Sequence, residues 1–350
     1  MLDVHTHFFP RGLPPPDDRA IGQGWPVVSE QGGRIEVRQR GELVRVLGSS
    51  ARDPRSRVAD MDRDGVATQV VMPTPFTFLH DADPDLGVRY ARAQNEQLAE
   101  LVGTDRERFR GLGALPLQDP AAAIEEARRS VTELGMAGVA IGTHTGTRQL
   151  HDPELEPVLA ELERLGASVF VHPWRPVAPE RTSHSGLGFG LARPVETELA
   201  VGSLVFGGVL ERHPRLRICL AHGGAGIPAL RGRLRNGWER QDPDRRRPRR
   251  DPLELMRTLW ADSLTYDPAA YALAEDTFGV EHMVLGSDYP FAAQERPFAA
   301  SVAAADARGI ARIGPGWAAR TADNGRAFLG EMPTTVADAA GSANREETTR

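Results

Sequence analysis

Eight short apolar runs recur along the chain, with helical stretches between them. Each run holds about 4–8 apolar or β-branched residues, which is typical of a strand buried on both faces. The predicted strands cover residues 2–6, 68–73, 109–117, 138–142, 168–172, 217–222, 258–263 and 282–288. Eight strands that alternate with helices predict an α/β fold, a (β/α)₈ barrel of the TIM type. An open doubly wound sheet is the alternative architecture.

Helix signals lie in the segments between these strands. Helices are predicted at 88–102 and at 120–134, where apolar residues recur at near-helical spacing. Asp119 is expected to cap the second of these, and Asp152 is expected to cap a helix that begins at Pro153.

Three segments depart from the alternation. Residues 8–56, rich in Gly, Pro, Arg and Asp, predict a small insertion after the first strand, and residues 175–193 predict a long loop after the fifth. Residues 242–251 contain five arginines and are typical of a solvated charged loop. We expect residues 1–330 to form one barrel domain. Residues 331–350 lack apolar periodicity, which predicts a disordered tail.

Composition narrows the chemistry that the chain can perform. Its 350 residues suit an α/β barrel that forms one domain. All 42 basic residues are arginine. A codon bias would account for this composition, but its chemical consequence stands. The chain has no lysine to form a Schiff base, to bind phosphate in a glycine-rich loop or, once carbamylated, to bridge two metal ions.

Charge and cysteine content set further bounds. The net charge is -6 and the sequence pI is near 6.0, which argues against a nucleic-acid-binding protein. One cysteine, Cys219, excludes an intramolecular disulfide and fits a reducing compartment. No apolar run approaches the roughly 20 residues of a membrane span, and no signal peptide is visible. We therefore expect a cytoplasmic protein with no membrane partner.

Polar residues fall at the carboxyl ends of four predicted strands. His5 and His7 alternate along the first strand, so both side chains point to the same side. His172 ends the fifth strand, His222 the sixth and Asp288 the eighth. Active sites of α/β barrels lie at this end. Two neutral imidazoles so placed provide half of a site for a first-row metal.

The motifs around these residues resemble those of the amidohydrolase superfamily, and more closely its branch typified by 2-amino-3-carboxymuconate-6-semialdehyde decarboxylase (ACMSD). The resemblance extends over nearly the whole chain. The segments that carry it are His-Thr-His-Phe-Phe-Pro-Arg at 5–11, His-Pro-Trp at 172–174, Pro-Val-Glu-Thr-Glu-Leu-Ala at 194–200, His-Gly-Gly at 222–224 and Gly-Ser-Asp-Tyr-Pro-Phe at 286–291.

The resemblance implies a single divalent metal, zinc or alternatively manganese, and no organic cofactor. Its implied ligands are His5, His7, His172 and Asp288. His222 is implied as the general base that takes a proton from a water on the metal. The missing lysine favours a mononuclear site over the carbamate-bridged binuclear one.

The resemblance also implies two substrate-binding arginines, which fit a carboxylate bidentately. Arg45 matches one in the insertion. Arg233 matches a second that enters the active site of a neighbouring subunit, which implies a homodimer. Trp174 and Phe291 are candidates to wall the substrate's conjugated plane, with packing at the barrel mouth as the alternative. His144 follows the fourth strand and is expected to lie near the mouth.

These observations favour a mononuclear, non-oxidative decarboxylase. The candidate substrates are unsaturated or aromatic acids, such as aminocarboxymuconate semialdehyde or a hydroxybenzoate. A hydrolase or hydratase acting on an amide, ester, lactone or C=C bond is the alternative on the same scaffold. A barrel without catalysis is a third hypothesis. The loop after Trp174 departs from the family pattern, and loops of this kind help to set substrate identity.

Overall fold

A computed structural model describes residues 1–242, 244 and 248–331. Its strands in chain order are β1 (Leu2–Phe8), β2 (Val27–Gln31), β3 (Arg34–Gln39), β4 (Glu42–Leu47), β5 (Thr68–Pro73), β6 (Phe109–Ala114), β7 (Gly138–Gly142), β8 (His144–Thr145), β9 (Arg148–Gln149), β10 (Ser168–His172), β11 (Arg217–Leu220), β12 (Trp260–Asp262) and β13 (Met283–Val284).

Eight of these strands form one parallel sheet in the order β1-β5-β6-β7-β10-β11-β12-β13. The sheet closes on itself through backbone hydrogen bonds between β1 and the segment that directly follows β13. The amide of Val4 donates to the carbonyl of Leu285 at 2.7 Å, and the amide of His7 donates to the carbonyl of Tyr289 at 2.6 Å. The prediction of a (β/α)₈ barrel is therefore confirmed.

Helices cover the outside of the barrel. In chain order they are α1 (Asp18–Gly22), α2 (Pro54–Asp64), α3 (Pro84–Thr104), α4 (Pro120–Arg128), α5 (Glu156–Leu165), α6 (Pro179–Thr182), α7 (Arg193–Phe206), α8 (Val209–Arg212), α9 (Ile227–Glu239), α10 (Pro252–Met256), α11 (Pro268–Phe278), α12 (Ala300–Ala307) and α13 (Trp317–Leu329). No helix in the described ranges is long and apolar enough to cross a membrane.

Of the two predicted helix caps, one is confirmed and the other is wrong. Asp119 accepts a hydrogen bond from the amide of Ala122 at 3.1 Å, as predicted for the cap of α4. The prediction of a helix from Pro153 is wrong, because α5 begins at Glu156. Asp152 instead accepts from the amide of Glu154 in a preceding turn, at 3.0 Å. Its short side chain satisfies that local turn before the helix starts.

The core lies on both sides of the barrel wall. The larger cluster includes Val139, Val169 and Ile218 from the strands and Leu204 from α7. A second cluster includes Phe170 and Cys219, both with no exposed surface. Cys219 is thus a buried core thiol.

The insertion after the first strand forms a small antiparallel sheet in the order β2-β3-β4. Ile35 and Val37 on β3 are fully buried, whereas Arg34 and Arg38, which flank them, are exposed. This alternation is typical of a sheet that covers the protein on one face only. Arg45 lies on β4 opposite Val37, so the sheet holds this arginine beside the barrel mouth.

Four predicted strands, the third, sixth, seventh and eighth, are shorter in the structure. The sixth ends at Leu220 because His222 turns into the left-handed region at φ 58°. The eighth has regular strand geometry only at Met283–Val284, and Asp288 lies beyond it at φ 61°. Within the long loop, residues 179–182 form α6 and a π-helical turn precedes α7. Residues 243 and 245–247 of the arginine-rich run and the predicted tail from residue 332 onward lie outside the described residues.

Candidate active site

Four buried side chains meet at the carboxyl end of the barrel. His5 and His7 extend from β1, His172 ends β10 and Asp288 follows β13. Their ligand atoms all lie within 4.8 Å of one another. Nε2 of His7 lies 3.1 Å from Nε2 of His5 and 2.9 Å from Oδ1 of Asp288. Three imidazole nitrogens and one carboxylate in such a group could hold one divalent metal ion.

The Nδ1 atom of each of these three histidines, which points away from the common centre, lies within hydrogen-bond distance of an oxygen acceptor. The pairs are Nδ1 of His5 with Oδ2 of Asp262 at 2.6 Å, Nδ1 of His7 with the carbonyl of Pro73 at 3.1 Å, and Nδ1 of His172 with the carbonyl of Pro173 at 2.8 Å. When Nδ1 donates, Nε2 keeps a free lone pair directed at the common centre. Nε2 of His172 is buried and has no hydrogen-bond partner among the described residues. A metal ion would satisfy that nitrogen.

The pKa shifts of His7, His172 and Asp288 favour the protonation states that bind a metal ion. Burial lowers the pKa of His7, and lowers that of His172 well below its ordinary value. Burial opposes ionisation of Asp288, yet the neighbouring His7 and His5 hold its pKa at about 2. Neutral imidazoles and an ionised carboxylate are the forms that bind metals.

His222 lies beside this cluster on a tight turn. Its ring centroid is 5.4 Å from that of His5 and 5.2 Å from that of His172. A Cβ on Gly223 or Gly224 would approach a neighbouring side chain to 2.4 or 2.5 Å, so the turn needs both glycines. A non-glycine residue held at positive φ often marks a functional site. Burial lowers the pKa of His222, so its imidazole is neutral near pH 7 and can accept a proton.

A cavity of about 680 Å³ opens over the cluster. His222, Phe291 and Arg45 line it, together with two of the four clustered side chains. The ring of Phe291 lies with its centroid 5.2 Å from that of His7. The guanidinium of Arg45 lies 5.4 Å from the centroid of the Phe291 ring. A planar acid entering this cavity would therefore meet an aromatic wall and a cation.

The remaining predicted residues lie farther from the cluster. Trp174 and His144 line a neighbouring cavity of about 640 Å³, and their ring centroids are 5.2 Å apart. His144 faces Glu196, with Nδ1 3.1 Å from Oε2. Arg233 is exposed on α9 and lines a separate depression with the exposed Leu230. Within one chain, Arg233 therefore does not reach the cavity over the cluster.

Three residues near the cluster were not predicted from the sequence. Asp262 holds His5, as described above. Arg57 is fully buried, donates to the backbone oxygen of His7 and lies 4.8 Å from the centroid of the Tyr289 ring. Arg193 lines both cavities. Asp262 lies one residue before the end of the predicted strand 258–263, so the rule that identified His172 could have found it, whereas nothing local distinguishes Arg193 from other arginines.

Comparison with known proteins places these features in context. The model of a family described as amidohydrolase matches residues 2–324. The 2-amino-3-carboxymuconate-6-semialdehyde decarboxylase of Dictyostelium discoideum is 35% identical, over 83% of this chain and 81% of its own length. The crystal structure of 5-carboxyvanillate decarboxylase from Sphingomonas paucimobilis is similar with a TM-score of 0.67 at 28% identity, covering 76% of this chain and 82% of that one. A 2,6-dihydroxybenzoate decarboxylase complexed with 2,6-dihydroxybenzoate gives a TM-score of 0.68 at 25% identity, covering 79% and 87%.

Proposed function

From the premise that this chain belongs to the amidohydrolase family, in its ACMSD-like branch, we propose that it is a metal-dependent, non-oxidative decarboxylase of an unsaturated or aromatic carboxylic acid. The observation that carries the proposal is the group of four ligand side chains within 4.8 Å of one another, next to His222 and beneath a cavity lined by Arg45. The relatives named above are decarboxylases of acids of this kind.

His5, His7, His172 and Asp288 would hold the metal ion. When bound, a divalent ion supplies Lewis acidity and lowers the pKa of a coordinated water from about 15.7 to about 7. Zinc and manganese both suit three imidazoles and one carboxylate. The proposal is for one ion, since the chain has no lysine to form a bridging carbamate.

Side chains of this chain would then bind the substrate and transfer the proton. Arg45 would bind the acid, and Phe291 would hold its plane against the rings of the cluster. The neutral imidazole of His222 would accept a proton from water and deliver it to the carbon that loses the carboxylate, and a proton from solvent would restore the water. The net change is one C–C bond broken, one C–H bond formed and one carbon dioxide released, so no oxidant is needed.

We also propose a homodimer in which Arg233 serves the neighbouring active site. Its exposure on α9 next to an exposed Leu230 and the depression of about 520 Å³ there support a contact between subunits. The cytoplasmic location is likewise a proposal, supported by the free and buried Cys219.

A substrate panel tests the proposed reaction. Metal-loaded protein is incubated with aminocarboxymuconate semialdehyde, hydroxybenzoates and carboxyvanillate, and headspace carbon dioxide is measured. Release of carbon dioxide from at least one of these acids is expected. Turnover of an amide, ester or lactone panel with no carbon dioxide from any acid would instead identify a hydrolase.

A further inference from the structure

Arg193 occupies an unusual place for an arginine in this chain. It is the first residue of α7, its side chain is half-buried, and it lines both the cavity over the cluster and the neighbouring one. Burial lowers the pKa of its guanidinium and Arg45 lowers it further, while Asp288 opposes the change. Arg193, Arg45 and Asp288 all line the cavity over the cluster.

Neither Arg193 nor Arg45 forms an ion pair with a carboxylate among the described residues. Other arginines beside the second cavity do. Arg40 and Arg175 both bind Asp81, at 2.9 and 2.5 Å. Two guanidiniums that face one cavity repel each other, and leaving them without an anion is unfavourable in a partly buried site.

The acids near Arg193 are engaged elsewhere. Glu196, one turn along α7, faces His144 at 3.1 Å. Asp288 lies 2.9 Å from His7 within the cluster. A divalent metal would be only half neutralised by the charge of Asp288. The cavity would then present Arg45, Arg193, the exposed Arg296 and a residual metal charge, which a ligand with a single negative charge leaves largely uncompensated.

We infer that Arg193 is a substrate-binding residue that acts with Arg45 to hold a second acidic group of the substrate, away from the metal. The inference rests on the proposed function for the identity of the group that reacts at the metal. It assigns the second group to a pair of guanidiniums contributed by one chain. The favoured substrate class is a planar acid with two anionic groups, since a guanidinium binds a carboxylate through two parallel hydrogen bonds.

Binding of unreactive acids tests this inference without turnover. Calorimetry on metal-loaded protein compares benzoate with the three benzenedicarboxylates, which differ in the separation of their carboxylates. The wild-type protein is expected to bind at least one dicarboxylate about tenfold or more tighter than benzoate. Equal or weaker binding of all three dicarboxylates would overturn the inference.

Substitutions of Arg193 test whether this residue binds the second acidic group. Arg193→Met is expected to weaken binding of the preferred dicarboxylate by about tenfold to a hundredfold and that of benzoate by less than about threefold. Arg193→Lys should restore part of the loss, because it keeps the charge without the fork. Arg181→Met, an exposed arginine of the same loop, is the matched control and should bind like wild type.

The outcomes separate the inference from the proposed function. If Arg193→Met weakens the dicarboxylate and benzoate equally, Arg193 has no special role toward the second group and the inference fails. If the dicarboxylate preference depends on Arg193 but no acid releases carbon dioxide, the inference stands and the proposed reaction fails.

Discussion

Oδ2 of Asp262 lies 2.6 Å from Nδ1 of His5, and both side chains are fully buried. Burial opposes the charged forms of both groups, yet their contact lowers the pKa of Asp262 and raises that of His5. The carboxylate also accepts a hydrogen bond from the amide of Gly223, at 2.9 Å. Asp262 thus fixes a proposed metal ligand and the turn that carries His222 through one side chain.

Asp262→Asn is expected to weaken metal binding by about tenfold to a hundredfold, because an amide holds the His5 imidazole less firmly than a carboxylate. Competition with a chelator of known affinity measures the change. Asp276→Asn is the matched control, because it removes a carboxylate on α11 that pairs with Arg231. Equal metal affinity in Asp262→Asn and wild type would show that Asp262 has no positioning role toward the metal site.

His222→Asn is expected to retain metal and to lose about two to four orders of magnitude in turnover, because the proposed proton acceptor is removed. Metal content by elemental analysis and initial rates check the two parts separately. His184→Asn, at an exposed histidine of the 175–193 loop, is the control and should keep full activity. Loss of metal from His222→Asn would mean that His222 is a ligand.

Arg45→Met is expected to raise KM by about tenfold to a hundredfold through loss of a charged hydrogen bond to the acid. Steady-state kinetics on the preferred acid gives the value. Arg34→Met, an exposed arginine on β3 of the same sheet, controls for the change in charge. An unchanged KM in Arg45→Met would remove this arginine from the proposed binding site.

Arg233→Met and His222→Asn are each expected to be nearly inactive, yet mixed dimers should recover about a quarter of wild-type activity, because half of the dimers then carry one complete site. Activity after unfolding and refolding the mixture measures the recovery. A mixture no more active than its components would rule out a contribution of Arg233 across the interface.

Much of the fold could be predicted from the sequence, because strands buried on both faces are continuous apolar runs and parallel strands need helical connections. The clustered residues could also be predicted, because the carboxyl ends of barrel strands meet whatever the intervening sequence is. The predicted ends of the strands were less accurate than the predicted positions of the strands along the chain. The turns at His222 and Asp288 depend on positive φ angles that the alternation of apolar residues does not encode.

Other parts of the site depend on tertiary position. Asp262 ends a strand only three residues long, Trp260–Asp262, and its partner His5 lies 257 positions away in the chain. Arg193 is one arginine among many, and only the packing of α7 against the barrel mouth places it beside Arg45. The roles assigned to Arg233 and Trp174 remain predictions, since one lies outside the cavity of its own chain and the other lines the neighbouring cavity.

Metal-dependent release of carbon dioxide tests the central claim most directly. Protein is stripped with a chelator, reloaded with zinc or manganese in steps, and supplied with its preferred acid labelled with ¹³C in the carboxyl group. We predict that activity returns in proportion to bound metal, reaches its maximum at about one ion per chain, and yields labelled carbon dioxide in equal amount to the acid consumed. Full activity in the stripped protein, or consumption of the acid without labelled carbon dioxide, would contradict the account.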